Sequence, residues 1–150
     1  RRSSDLPRSR VPELGCSVGE ELLKVHLSYG LLVKSLLKSF NKPRCARIIK
    51  GLAHITGGGF IDNIPRVLPK GCDVVIRKGT WQVLPVFELI QSHGKVDEEE
   101  MHQVFNMGIG MTAIVSGSKA DGILRSIRRC GHRAWVIGEV RRGRGKVKLV

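Results

Sequence analysis

HITGGGFIDNIPRVLP, residues 54–69, sets three consecutive glycines between a histidine and a run that ends in proline. A glycine loses more backbone freedom on folding than any other residue, so three in succession must be offset by something. Before them, IIKGLAHI (48–55) is apolar and β-branched and reads as a strand. After them, FIDNIPRVLP reads as a short helix, with Asp62 or Asn63 as its cap and Pro65 in the first turn, where a missing N–H is harmless. The order strand, glycines, helix suits a phosphate. Glycines let backbone N–H groups approach an anion with no Cβ in the way, and a helix start adds unpaired donors and the positive end of its dipole. No lysine follows, so the stretch is not a Walker loop, and it lacks the alternating glycines of a dinucleotide fingerprint. From the residues alone, Gly57–Gly59 is either a phosphate cradle or a tight turn required by packing. His54 is likewise either structural or a donor, acid or base beside a bound anion.

The flanking sequence alternates helical and extended patterns. From Val18 to Phe40 apolar residues recur every three or four positions, which predicts one helix capped by Ser17, with Glu20 and Glu21 in its first turn and a Glu20–Lys24 pair. His26 and Tyr29 fall on or beside its buried face, and Asn41-Lys-Pro stops it. CDVVIR (72–77) reads as a strand, and VLPVFELIQSHG (83–94) as a helix. VDEEEMHQVF (96–105) reads as a helix with an Asp97/Glu100 capping box. GMTAIVS (110–116), AWVIGEV (134–140) and KVKLV (146–150) read as strands. KADGILRSIRRCG (119–131) is a basic helix closed by Gly131. FNMGIGM (105–111) forms a second glycine junction, where Asn106 caps backbone groups and Gly108 and Gly110 permit close approach of another segment; a turn demanded by packing serves as well. Four or five strands and about five helices imply one mixed α/β layer structure with helices covering the sheet.

Composition bounds the rest. A chain of 150 residues fits one domain with one core. No apolar run reaches the roughly 20 residues a membrane span needs, so the chain reads as soluble. RRSSDLPRSR (1–10) is basic and Ser-rich, loosely like an organellar targeting segment; it lacks the apolar core of a secretory signal, and a disordered end is the preferred expectation. Cys16, Cys45, Cys72 and Cys130 are too dispersed for a zinc site or a disulfide framework and are expected as free thiols. The net charge of +13 favours phosphate-bearing partners in general, nucleotides, nucleic acid and anionic membranes alike. The acidic run at 97–100 reads as a solvated helix start rather than a metal site, and Trp81 and Trp135 read as core.

HITGGGFIDNIPRVLP together with FNMGIGM strongly resembles phosphoribosylformylglycinamidine cyclo-ligase, also called aminoimidazole ribonucleotide synthetase. The likeness continues through VPELG, GEELL, KSLL, the EEEM before FNMGIGM, and AWVIGEV, so it spans residues 11 to 140. These motifs separate the family from fold relatives such as selenophosphate synthetase and thiamine-monophosphate kinase. The resemblance implies an α+β fold, a mixed sheet covered by helices in a layered sandwich, over residues 11–150. It implies ATP-dependent closure of formylglycinamidine ribonucleotide to aminoimidazole ribonucleotide in purine biosynthesis, a cytoplasmic setting, and a homodimer in the full-length enzyme. His54 matches the motif histidine that the family places at its active site. Thr56 and Gly57, Gly58 and Gly59 match the loop that holds a phosphate, and Asn63 the polar position of the next helix. The likeness is to the carboxy-terminal domain only. The amino-terminal domain, which in the family supplies most of the ATP and Mg²⁺ site and the main dimer contacts, has no counterpart in the sequence, so the chain is expected to be inactive alone. One segment departs: the family's LLxPTxIYVK-like stretch reads LLKVHLSYGLLVKSLL here (22–37), and no residue is carried over from it. The rival readings are a basic, non-catalytic module for RNA or polyphosphate, led by RRGRGKVK (141–148), and a degenerate truncated copy.

Overall fold

The computed structural model describes residues 7–150. The chain enters through a two-residue hairpin, β1 (Arg10–Val11) with β2 (Cys16–Ser17), and the Val18 N–H donates to the Ser9 carbonyl at 3.1 Å. Of the stretch 1–10, residues 1–6 lie outside the described residues. Helix α1 (Val18–Leu22) follows, and its start is a full capping box. The Ser17 hydroxyl accepts from the Glu20 N–H at 3.2 Å, while the Glu20 carboxylate accepts from the Ser17 N–H at 2.8 Å. Lys24 pairs with Glu21, one position from the partner expected.

The single helix expected over 18–40 is two helices. Residues 23–29 are irregular, and α2 runs over Gly30–Phe40. The interruption holds Val25, His26, Ser28 and Tyr29, all weaker helix formers than the leucines and lysines around them, and it ends at a glycine. The apolar period is real within α2, where Leu32, Leu36 and Phe40 face a core. It fails at Val25, which is 93% exposed. Asn41 then closes α2 and starts the next strand: its Oδ1 accepts from Ile48 and Ile49 N–H at 2.9 Å, and its Nδ2 donates to the Ile49 carbonyl at 2.8 Å.

Two small sheets carry the rest. β3 (Ile49–His54) pairs antiparallel with β5 (Met111–Val115), bringing His54 opposite Met111. A register irregularity between Ile49 and Gly51 switches the alternation. Ile49 and Leu52 therefore both face the core under α2, while Ala53 turns to the other core. That larger core holds Phe60 and Met101, both wholly buried, with Ile55, Ile76 and Trp81. Trp81 satisfies its indole N–H on the Met107 carbonyl at 2.9 Å. Trp135 is half-buried against the same core, with the Arg133 guanidinium over its ring.

The second sheet has β4 (Cys72–Ile76) at its centre, between β6 (Gly138–Arg142), antiparallel, and β7 (Val147–Leu149), parallel. The Arg/Gly stretch is thus no loose tail. Residues 143–146 cross the start of β4 to carry the chain from one of its edges to the other. Asp73 fastens the crossing, its Oδ1 accepting from the Arg144 N–H at 2.6 Å and the Lys146 N–H at 2.8 Å. These donors hold the Asp73 carboxyl below its usual range, Lys146 contributing most. The strand expected at 134–140 begins only at Gly138, although Trp135 and Ile137 still pack on the core.

Helices α3 (Gly59–Asn63), α4 (Pro85–Gly94), α5 (Glu98–Val104) and α6 (Ala120–Arg129) complete an α+β arrangement with helices against the sheets. α6 lies against α2 over the smaller core through Ile123 and Ile127. Two helix starts differ from expectation. α3 begins at Gly59 with Gly58 as its cap, so Asp62 and Asn63 lie inside it, and Pro65 opens a separate 3-10 turn, Pro65–Val67. α5 has Asp97 at its cap position, but the side chain makes no capping bond, so no capping box forms with Glu100. All four cysteines are free.

Candidate functional site

The two glycine motifs form one unit. The Ile55 N–H, one residue beyond β3, donates to the Gly110 carbonyl at 2.9 Å, so the strand end bearing His54 lies directly beside FNMGIGM. That second motif is shaped by its own bonds. The Asn106 Oδ1 accepts from the Gly108 N–H at 2.9 Å, and Met107 takes a left-handed conformation next to Gly108.

The three glycines of the first loop have different tasks. Gly59, at φ +55°, lies under α5, where a Cβ would stand 2.0 Å from the His102 carbonyl oxygen. Gly58, at φ +91°, has the Asp62 side chain against it. Packing and conformation therefore account for these two. Gly57 needs neither: its φ is unexceptional and a Cβ there would meet nothing within 4 Å. Among the described residues, the Gly57 and Gly58 N–H groups donate to no protein acceptor, while the Gly59 N–H donates to the Thr56 carbonyl at 3.0 Å.

Asn63 works from inside. It is buried, and its Nδ2 donates to the Gly59 carbonyl at 2.8 Å and the Gly57 carbonyl at 3.2 Å. Its amide fixes the loop's carbonyls inward and presents nothing to a ligand. Thr56, by contrast, is exposed, as is His54. The His54 ring stands edge-on to two aromatic neighbours. His26 is 5.9 Å away between centroids and Tyr29 6.1 Å. Burial pushes the Tyr29 phenol above its ordinary pKa. The helix face expected to hold His26 and Tyr29 does not form, and the irregular backbone at 23–29 sets both rings beside His54 without any local sequence signal.

On the α5 side the loop borders a cavity of about 670 Å³, lined by Gly57, Gly58, Asp62, Asp97, Glu99, Glu100, Gln103 and Val104. Four carboxylates make this wall unfavourable for a bare phosphate. His54 and Thr56 are not among the residues that line it. Among the described residues no three imidazole, thiol or carboxylate groups converge in a way that could hold a metal ion. Four arginines have partners away from the loop: Arg77 and Arg141 on Glu139, Arg128 on the Ala134 carbonyl, Arg133 on Gln82.

Comparison with known proteins matches residues 18–150 to a family described as AIR synthase related protein, C-terminal domain. A phosphoribosylformylglycinamidine cyclo-ligase of Caldicellulosiruptor saccharolyticus is 50% identical over 137 residues, covering 91% of this chain and 38% of that protein. One of Syntrophus aciditrophicus is 46% identical over 134 residues, covering 89% and 37%. The chain therefore spans little over a third of the length of these relatives. The crystal structure of E. coli HypE superposes with a TM-score of 0.56 at 22% identity, over 87% of this chain and 40% of that one, which shows a shared fold.

Proposed function

The chain belongs to the AIR synthase related protein family, as its C-terminal domain, and from that membership we propose that it supplies the carboxy-terminal half of a cyclo-ligase active site. The reaction is closure of formylglycinamidine ribonucleotide to aminoimidazole ribonucleotide in purine biosynthesis. The formyl oxygen takes the γ-phosphoryl group of ATP and ADP leaves. An internal nitrogen of the substrate attacks the activated carbon, and the C–O bond to phosphate breaks, giving the imidazole ring and inorganic phosphate. Such chemistry depends on positioning and on neutralising phosphoryl charge.

In this reading the unengaged N–H groups of Gly57 and Gly58 receive a phosphate of the substrate, and the Thr56 hydroxyl, which donates to the Asn63 Oδ1 at 3.4 Å in the free chain, turns to it. His54, exposed at the strand end beside them, donates to the anion or carries a proton at the reacting centre. Gly59 and Asn63 hold the loop in shape. ATP and Mg²⁺ fall mostly to the amino-terminal domain of the same enzyme, a homodimer working in the cytoplasm, and the present chain is inactive without it. The observation that carries the reading is Gly57, the one loop glycine for which packing gives no reason, with a free amide next to an exposed histidine. The rival reading as an RNA or polyphosphate module, led by residues 141–148, gives HITGGGFIDNIPRVLP no role.

Substrate binding by Gly57→Val tests the loop. A Cβ there meets no protein atom, so the variant is expected to fold normally and to lose affinity for the substrate phosphate. Unchanged affinity rules the loop out as a phosphate site.

A further inference from the structure

Segment 22–31, from the end of α1 into the first turn of α2, has two unlike sides. One side is seated on the site: His26 and Tyr29 stand edge-on to His54, and the Tyr29 hydroxyl rests where a Cβ on Gly110 would be only 2.3 Å away. The other is apolar and in water. Leu22, Leu23, Val25, Leu27 and Leu31 are between 58% and 93% exposed. Isolated exposed aliphatics need no explanation, but five within ten residues mark a surface that is covered in use. Among the described residues the remaining large exposed apolar side chains, Val104, Val136, Val140 and Val150, are scattered through other elements.

The route of the chain says what covers it. Pro7 packs on α1, its carbonyl 2.7 Å from where a Cβ on Gly19 would stand. Any domain joined ahead of residue 1 is therefore tethered within about 20 Å of α1, where the patch begins at Leu22. The cyclo-ligase relatives are more than twice as long as the stretch this chain matches, and the matched family model is a C-terminal domain. The patch is aliphatic, and segment 22–31 has Lys24 as its one permanently charged side chain beside His26 and Tyr29, so it suits an apolar protein face and not a phosphate backbone.

We propose that segment 22–31 is a strap on which the amino-terminal domain docks, and that docking holds His26 and Tyr29 against His54. This rests on reading the chain as one half of a two-domain enzyme. Docking then completes the site and fixes its histidine in one step, and Tyr29 is a positioning residue acting through His54.

The test is hydrogen–deuterium exchange of the 23–29 amides in the chain alone and in a fusion carrying the amino-terminal part of the Caldicellulosiruptor saccharolyticus relative ahead of it. Exchange is expected to slow by at least about tenfold in the fusion. Val25→Asp with Leu27→Asp, both in water in the free chain, is expected to return it to the free-chain rate. Exchange unchanged by fusion, or protection that survives the double substitution, overturns the proposal. So does a chain that dimerises alone in sedimentation equilibrium with the strap protected, since the patch then covers a second copy. Turnover separates this from the catalytic reading: a protected strap in an inactive fusion refutes the catalysis and leaves docking intact, and turnover with an unprotected strap does the reverse.

Discussion

The Tyr29 hydroxyl occupies the space a side chain on Gly110 would take, joining the irregular segment before α2 to the second glycine motif. Tyr29 is the only tyrosine in the chain, so its titration can be followed without interference. Burial places its phenol above the ordinary value of about 10. Gly110→Ala is expected to displace the ring, because the obstructing atom is the tip of a movable side chain. Spectrophotometric titration should then show Tyr29 returning toward its ordinary pKa, with the melting temperature little changed. A titration curve identical to that of the wild type contradicts the contact.

The three loop glycines should respond differently to the same methyl group. Gly59→Ala adds a Cβ 2.0 Å from the His102 carbonyl at a position with positive φ. Overpacking and the left-handed conformation together should cost about 2–4 kcal/mol. Gly57→Ala meets nothing and should stay within about 0.5 kcal/mol of the wild type. Urea unfolding of the two variants measures the contrast. Equal losses would mean that all three glycines serve packing.

Asn63 should act on stability before chemistry. Its buried amide holds the Gly57 and Gly59 carbonyls, so Asn63→Ala is expected to cost about 1–3 kcal/mol. Amide exchange at Gly57 and Gly58 should rise as the loop loosens. A variant as stable as the wild type shows that the loop is held by other means.

Asp73 gives the fold an acid-sensitive fastening. Its folded pKa is depressed, chiefly by the Lys146 N–H and next by that of Arg144. The stabilisation is therefore present above the unfolded value of about 3.9 and is lost as pH falls through the folded one. Glu98 and Glu139 are lowered too, mainly by hydrogen bonds from Lys78 and Arg141, so the wild type is compared with Asp73→Asn. The variant should be less stable at neutral pH, with a shallower loss of stability between about pH 5 and pH 2. Parallel pH profiles would show that Asp73 does not fasten the crossing.

Strand β3 and the glycine loop were legible in the sequence because period and glycine agree there; the helix after them was legible as a helix but not in its bounds, since Gly58 caps it and Pro65 opens a separate turn. The break in 18–40 was not. An apolar residue every three or four positions looks the same in one helix or in two, and no proline or glycine lies between Gly19 and Gly30. Asp97 and Glu100 have capping-box spacing, yet the pattern does not compel the side chain to bond. The Arg/Gly turn was legible as a turn, but local sequence carries no sign that β4 lies between the two strands it joins. For the site, the motif likeness led to His54 and the loop. The division of labour among Gly57, Gly58 and Gly59 depends on α5, which is distant in sequence, and so emerged only from the fold.

We infer that this chain is one half of a cyclo-ligase site centred on His54. The direct measurement is ATP-dependent phosphate release with formylglycinamidine ribonucleotide, by the chain alone and by its fusion to the amino-terminal part of the Caldicellulosiruptor saccharolyticus relative. Expected are silence alone, turnover in the fusion, and a loss of at least about 100-fold with His54→Ala at unchanged melting temperature. Turnover by the chain alone, or a His54→Ala fusion as active as its parent, would contradict it.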